Sequence, residues 1–123
     1  MAQYERIQIP MKVYSRNAMD KKHWSEKKSI RQIYSVLVRN QMRLTKKREV
    51  GTGEVVEKIR ITAYLKRLYD FDNLVGGCKQ LIDALSNEGF IWDDAPRFLN
   101  GSEYKQMKTK GEPFTIIERK FNV

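Results

Sequence analysis

Residues 55–68 read VVEKIRITAYLKRL, and the middle of this stretch alternates between apolar and polar side chains. In an extended chain, successive side chains point to opposite sides. A period of two is typical of a β-strand that is buried on one face. We therefore predict a strand over residues 55–68, and its buried side comprises Ile59, Ile61, Ala63 and Leu65.

Apolar residues recur at helical spacing on both sides of this strand. Residues 15–23 are polar and are predicted to form a turn. A first helix is predicted from Trp24 onward with Ser25 as its N-cap, and its apolar stripe is Ile30, Ile33, Tyr34, Leu37, Val38 and Met42. A second helix is predicted to end at Gly89, and its stripe is Leu74, Cys78, Leu81, Ile82 and Leu85.

Three further strands complete the expected fold. Residues 5–14 alternate loosely and are interrupted by Pro10, and two strands are predicted over residues 97–107 and 114–121. Residues 110–113 are predicted to connect the last two strands as a hairpin. The order β-α-β-α-β-β predicts a single α+β domain over residues 1–123. In it, a small mixed β-sheet of about four strands packs with two main helices.

Composition excludes several classes of protein. A length of 123 residues predicts one folded domain. The sequence has no apolar stretch near the ~20 residues of a membrane span, and its first residues have no signal-peptide character. We therefore expect no membrane partner. Cys78 is the single cysteine, which excludes an internal disulfide and fits a reducing, cytoplasmic location. Because His23 is the single histidine, a zinc site rich in cysteine or histidine is also excluded.

The positive charge is unevenly distributed. The chain has a formal net charge of +9, and residues 1–50 carry 13 Lys and Arg against 4 Asp and Glu, whereas residues 51–123 carry 11 of each sign. This asymmetry favours attraction to nucleic acid or to another anionic surface. The alternative is a solvated basic helix with no partner. Residues 44–54, which contain Lys46, Lys47 and Arg48, are predicted to form an exposed basic loop.

Acidic residues collect between residues 70 and 94. If residues 69–72 continue extended from the predicted strand, Asp70 and Asp72 point to the same side. Paired carboxylates repel each other unless a cation lies between them. The cation would be a hard ion bound through oxygen, Mg²⁺ or Mn²⁺, which also binds phosphate.

Structural roles compete with metal binding at each of these acids. Asp72 would suit the N-cap of the second helix, and Asp93 and Asp94 would suit a turn ahead of Pro96. Together these roles leave Asp70 unexplained, so we favour a metal site.

Three other features of the sequence have competing interpretations. Lys79 lies one helical turn before Asp83, where it would form an exposed ion pair or stabilise a phosphodiester in its transition state. The pair Gly76-Gly77 weakens a helix, which indicates a bend, a close backbone approach to phosphate or a loose first turn. Tyr69 and Phe71 would pack in the core or stack on bases, and Trp24 and Trp92 would serve the core or an interface.

The motifs DFDNL (residues 70–74), KQLIDAL (79–85) and GFIWDDA (89–95) together resemble the RusA-type Holliday-junction resolvases. These are small dimeric Mg²⁺-dependent endonucleases, often carried by phages and prophages. The resemblance is concentrated in residues 69–98. It implies metal ligands at Asp70, Asp72 and Asp94 and an active-site lysine at Lys79, and further motif positions fall on Asn73, Asp83 and Asp93.

Two departures from the family pattern concern this motif. Phe71 stands where many relatives have proline, although the spacing of the aspartates is intact. Many relatives also place the lysine about three residues closer to the Asp-Asn pair, and three extra residues displace Lys79 by roughly 4.5 Å along an ideal helix.

The resemblance implies hydrolysis of DNA by metal-activated water, with paired cuts across a four-way junction during recombination or repair. Two coordinated cuts require a homodimer with two sites on one branched DNA. The alternatives are an accessory protein that binds branched nucleic acid without cleaving it, and a nuclease that acts on flaps or forks. The candidate DNA contacts are Lys46, Lys47, Arg48, Lys66 and Arg67.

Overall fold

A computed structural model describes residues 3–122, which form one four-stranded sheet and four helices. In chain order the elements are β1 (Tyr4–Ile9), α1 (Arg16–Asp20), α2 (Trp24–Leu44), β2 (Val56–Leu65), α3 (Phe71–Gly77), α4 (Lys79–Asn87), β3 (Leu99–Lys108) and β4 (Phe114–Lys120). Within residues 3–122, no helix is both long and apolar enough to cross a membrane.

The sheet is mixed, and its strand order is β1-β4-β2-β3. Strand β2 pairs in parallel with β3 and antiparallel with β4, which pairs antiparallel with β1. The predicted α+β class with a small mixed sheet is therefore confirmed. The alternation within β2 is confirmed as well, because its predicted apolar side is fully buried against the helices: Ile59, Ile61, Ala63 and Leu65. We call this side of the sheet the inner face and the opposite side the outer face.

The predicted hairpin between the last two strands is wrong. Strand β2 lies between β3 and β4, so residues 110–113 connect two strands that do not pair. The apolar strand β2 takes one of the two interior positions, where it has a hydrogen-bonded neighbour on each side. The connection between β3 and β4 crosses the end of β2, where the Thr109 N–H donates to the Leu65 carbonyl at 2.8 Å.

Two local predictions in the first third of the chain are also corrected. Residues 15–23 contain the short helix α1, whose N-cap Ser15 accepts a hydrogen bond from the Ala18 N–H at 3.1 Å. The N-cap of α2 is His23 instead of Ser25, because the His23 ring Nδ1 accepts from the Ser25 N–H. The apolar stripe of α2 is buried except at Leu37, which is half-buried, and Ile33, which is 50% exposed.

The predicted second helix is divided into α3 and α4 at Cys78. The Cys78 N–H bonds to the Val75 carbonyl, three residues back, and this tighter turn ends α3. Helix α4 is followed by Gly89 with φ of +81°, as predicted for a glycine just beyond a helix. The buried side of the two helices agrees with the predicted stripe, except that Ile82 is half-buried.

The largest fully buried side chain in the core is a charged one, Arg119 on the inner face of β4. Its guanidinium donates to Glu5 Oε1 at 2.9 and 3.1 Å, to the Phe90 carbonyl at 2.9 Å and to the Arg48 carbonyl at 2.7 Å. These bonds join β1 and β4 to the segment before β2 and to the segment after α4. Arg119 therefore satisfies backbone groups that would otherwise be buried without partners.

We predict that Arg119→Met lowers the free energy of unfolding by about 3–5 kcal/mol, because it leaves the Glu5 carboxylate and two carbonyls without their donor. Urea denaturation would measure the change. Lys120→Met on the outer face is the matched control and should have a much smaller effect. Equal effects of the two variants would contradict a structural role for the buried guanidinium.

Candidate active site

The first two candidate aspartates lie at the start of α3. Asp70 is the N-cap residue and Asp72 lies in the first turn, so the expected extended conformation over residues 69–72 is wrong. The reason is that β2 ends at Leu65, and helix α3 begins directly after Asp70. Asp72 is therefore not the N-cap, and the Asp70 carboxylate accepts no helix N–H although it stands at the cap. Neither carboxylate therefore caps the helix, and both side chains are exposed.

The backbone next to Asp70 is held firmly. The Tyr69 N–H donates to Gln106 Oε1 at 2.9 Å, and Gln106 Nε2 donates to the Tyr69 carbonyl at 2.7 Å. The Tyr69 hydroxyl donates to the Val13 carbonyl at 2.9 Å, and its ring packs against the core. Of the two aromatic residues beside Asp70, Tyr69 therefore packs in the core, whereas Phe71 is 60% exposed. Strand β3, which carries Gln106, fixes where Asp70 lies.

The late acidic pair divides into two roles. The Asp93 carboxylate accepts the N–H of Asp94 at 2.8 Å, so Asp93 is a turn residue. Asp94 is exposed, and its negative charge adds to the effect of burial in raising the pKa of Tyr104. Tyr104 and Gln106 are both on the inner face of β3, about 7 Å apart along the strand. On this face of β3, Gln106 therefore holds the segment that contains Asp70, and Tyr104 lies near Asp94.

Lys79 and Asp94 line one open cavity of about 400 Å³ together with Val75 and Gly76 of α3. Asp72 precedes Val75 by three residues and Gly76 by four, so helical spacing places it on the same side of α3. Lys79 is exposed and forms no ion pair with Asp83 within residues 3–122. The ammonium of Lys79 is therefore available to an anion in this cavity.

Three charged residues border the acids although the sequence did not single them out for the site. Arg16 and Asp20, which are paired at 3.8 Å, line the cavity of Lys79 and Asp94. Arg31 lines a neighbouring cavity of about 360 Å³ with Asp83, Asp93 and Asp94. No local motif indicates these residues, because they come from α1 and α2, far away in the sequence.

The pair Gly76-Gly77 permits a close approach of the chain to itself. A Cβ on Gly77 would lie 1.8 Å from the Tyr14 carbonyl oxygen, and one on Gly76 would lie 2.5 Å from Cδ of Arg16. Both glycines lie within α3, so they do not form a loose first turn. They let the segment before α1 pack against α3, which brings Arg16 to the cavity.

We predict that Gly77→Ala lowers the free energy of unfolding by about 1–3 kcal/mol or more, because the new methyl group collides with backbone. Gly111→Ala is the matched control, since the nearest atom to its Cβ would be 4.0 Å away. Thermal or urea unfolding would compare the variants. A Gly77→Ala protein as stable as Gly111→Ala would show that the segment from Tyr14 is not packed against α3.

Cys78, between α3 and α4, is fully buried. Burial raises the pKa of its thiol to about 12. A thiol with this pKa stays protonated throughout the neutral range, so Cys78 is a packing residue and not a nucleophile.

We predict that Cys78 of the native protein does not react with a disulfide reagent at pH 8. The native protein contains roughly a thousandfold less thiolate than an unfolded chain with an ordinary cysteine pKa. The reaction should become fast in urea at the concentration that unfolds the protein. Rapid modification of the native protein would contradict the burial of the α3–α4 junction.

The candidate DNA contacts fall at two separate places. Lys46 and Arg48 are exposed after α2 and Lys47 is half-buried, but the Arg48 guanidinium binds both oxygens of Glu54 at 2.7 and 2.8 Å. Lys66 and Arg67 are exposed in the bend between β2 and Asp70. Of these residues, Arg48 therefore has its charge already neutralised within the protein.

The chemistry of the candidate ligands suits a hard cation, because all three are exposed carboxylates. Within residues 3–122, however, no group of three or more His, Cys, Asp or Glu side chains is arranged to hold a metal ion. Mg²⁺ commonly binds one or two protein carboxylates and completes its shell with water and substrate phosphate. The role of Asp70, Asp72 and Asp94 as ligands stays a prediction.

No protein-family model matches the chain, and no curated protein matches it. The interpretation of the site rests on the residues themselves and on the resemblance of residues 69–98.

Proposed function

We propose that this protein is a metal-dependent, structure-selective endodeoxyribonuclease that cleaves four-way DNA junctions. The observation that best supports the proposal is that Lys79 and Asp94 line one cavity beside the side of α3 that carries Asp72. Carboxylates and an unpaired ammonium around one open space suit metal-assisted phosphodiester hydrolysis.

The carboxylates of Asp70, Asp72 and Asp94 would hold the Mg²⁺ or Mn²⁺. A bound ion of this kind supplies an activated water and neutralises charge on the phosphate. The resemblance to RusA-type resolvases motivates the same assignment. The firm backbone anchor at Tyr69 would keep the Asp70 carboxylate in place while DNA binds.

Lys79 would contact the phosphate from the first residue of α4. Its ammonium would stabilise the extra negative charge that the phosphate oxygens carry in the transition state. The position of Lys79 depends on the turn at Cys78, which ends α3 and starts α4. This turn lies between Asp72 and Lys79, where the chain is about three residues longer than in many RusA-type resolvases. Arg16 lines the same cavity but is paired with Asp20 at 3.8 Å, so it would add positive charge only after it leaves this partner.

We also propose a homodimer and a cytoplasmic location, in a phage or prophage setting. A symmetric junction needs two coordinated cuts, and a twofold axis places two identical sites on one DNA. The single buried thiol fits a reducing compartment.

We predict that Asp72→Asn loses at least about 100-fold in junction cleavage, because even indirect metal partners contribute 10- to 100-fold. Binding should be retained, since removal of a negative charge does not weaken phosphate contacts. The assay would offer four-way junctions and matched linear duplexes with Mg²⁺ or Mn²⁺.

Glu57→Gln is the matched control, because it removes the same charge near the other end of β2. Equal cleavage by wild type and Asp72→Asn would remove the metal assignment. Junction binding without any cleavage would favour an accessory protein. Preference for flaps or forks over four-way junctions would indicate a different branched substrate.

A further inference from the structure

Most cations on the sheet are neutralised by glutamates of the same strand or of a neighbouring strand. On the outer face, Lys58 and Lys105 bind Glu103 at 2.9 and 3.2 Å, and Arg60 binds Glu118 at 2.8 Å. On the inner face, Arg119 binds Glu5. Such cations contact an external anion only if they leave these glutamates.

A second group of cations has no acidic partner. We define the edge cluster as the Lys and Arg side chains at the end of β2 and β3 that form no ion pair within residues 3–122: Lys12, Lys66, Arg67, Lys108 and Lys110. All five are exposed. Glu112 lies on the same connection and forms no ion pair with them. The cluster is therefore a concentration of uncompensated positive charge.

The topology of the sheet assembles the edge cluster from three segments. Strands β2 and β3 are parallel and end in register at Leu65 and Lys108, so the residues that follow them lie at one edge. The hydrogen bond from Thr109 to Leu65 keeps the connection to β4 at this edge. Lys12 follows β1 and borders a shared cleft of about 260 Å³ with Lys66 and Arg67.

The edge cluster adjoins the candidate active site. Tyr69 lines the same cleft and directly precedes Asp70. Asp70 is the third residue after Arg67, and this stretch spans at most about 10 Å of extended chain. By contrast, the basic segment at Lys46 lies before β2, whose ten residues measure roughly 30 Å.

We propose that the edge cluster binds the phosphodiester backbone of the nucleic-acid strand that is presented to Asp70 and Asp72. The proposal rests on the proposed function and identifies the surface that holds its substrate. Phosphates would relieve the repulsion among five unpaired cations and would release counterions from the nucleic acid. The paired cations of the outer face would make no such contact.

The test compares two double variants that remove the same charge. K66Q/R67Q changes the edge cluster, and K58Q/K105Q changes paired residues on the outer face. Binding of a labelled four-way junction is measured by fluorescence anisotropy in EDTA between 50 and 200 mM salt. For K66Q/R67Q we expect at least tenfold weaker binding at the lowest salt, and a slope of log K against log salt that is smaller by about 0.9 for each lost phosphate contact.

K58Q/K105Q should bind as wild type does, and K108Q/K110Q should repeat the loss from an independent segment. Urea midpoints establish that the variants are folded. Wild-type affinity for both edge variants, equal weakening by K58Q/K105Q, or no binding by the wild type would overturn the proposal.

The failure of the nuclease assignment is distinguishable from these outcomes. Because binding is measured without metal, a wild type that binds through the edge cluster but never cleaves would support this proposal and remove only the nuclease activity. A wild type that cleaves junctions while K66Q/R67Q binds normally would support the nuclease activity and overturn the role of the edge cluster.

Discussion

The arrangement of the fold depends on a positive charge that is enclosed in its core. Taking an arginine out of water costs several kcal/mol, and the cost is offset only where each donor finds a partner. Arg119 finds them on Glu5 and on the carbonyls of Arg48 and Phe90. These hydrogen bonds connect β1 to β4 and hold the segment after α4 against the inner face of the sheet. Since Phe90 precedes Asp94 by four residues, the same contact orients the loop that brings Asp94 to the candidate site.

The sheet and the candidate site contain three regions that differ in charge. Glutamates neutralise most sheet cations, exposed aspartates lie at and near α3 and α4, and the edge cluster stays uncompensated. A polyanion would be attracted to the edge cluster and repelled by the neighbouring carboxylates unless a cation bound there. A bound cation would therefore strengthen binding at this site without being required for it, because it neutralises carboxylates beside the strand that the edge cluster holds.

Periodic patterns predicted the elements whose faces differ in polarity. The alternation around Ile61 predicted the central strand, and the apolar spacing around Leu81 predicted the helix after it. The errors occurred where a local pattern allows two conformations. Residues 69–72 suit an extended chain as well as a helix start, and residues 110–113 suit a hairpin as well as a longer connection. Which strand β3 pairs with depends on burial of β2, and no short stretch of sequence contains that information.

The sequence by itself determined the α+β class, the central strand and the acidic motif of residues 70–94, because these depend on residues close together in the chain. Only the tertiary structure decided that Arg119 is buried, that Arg16 reaches the cavity of Lys79, and that Lys12 and Lys108 adjoin Lys66. Each of these contacts joins segments that are far apart along the chain. They depend on strand register and on the close approach at Gly77, and neither has a period that can be found in the sequence.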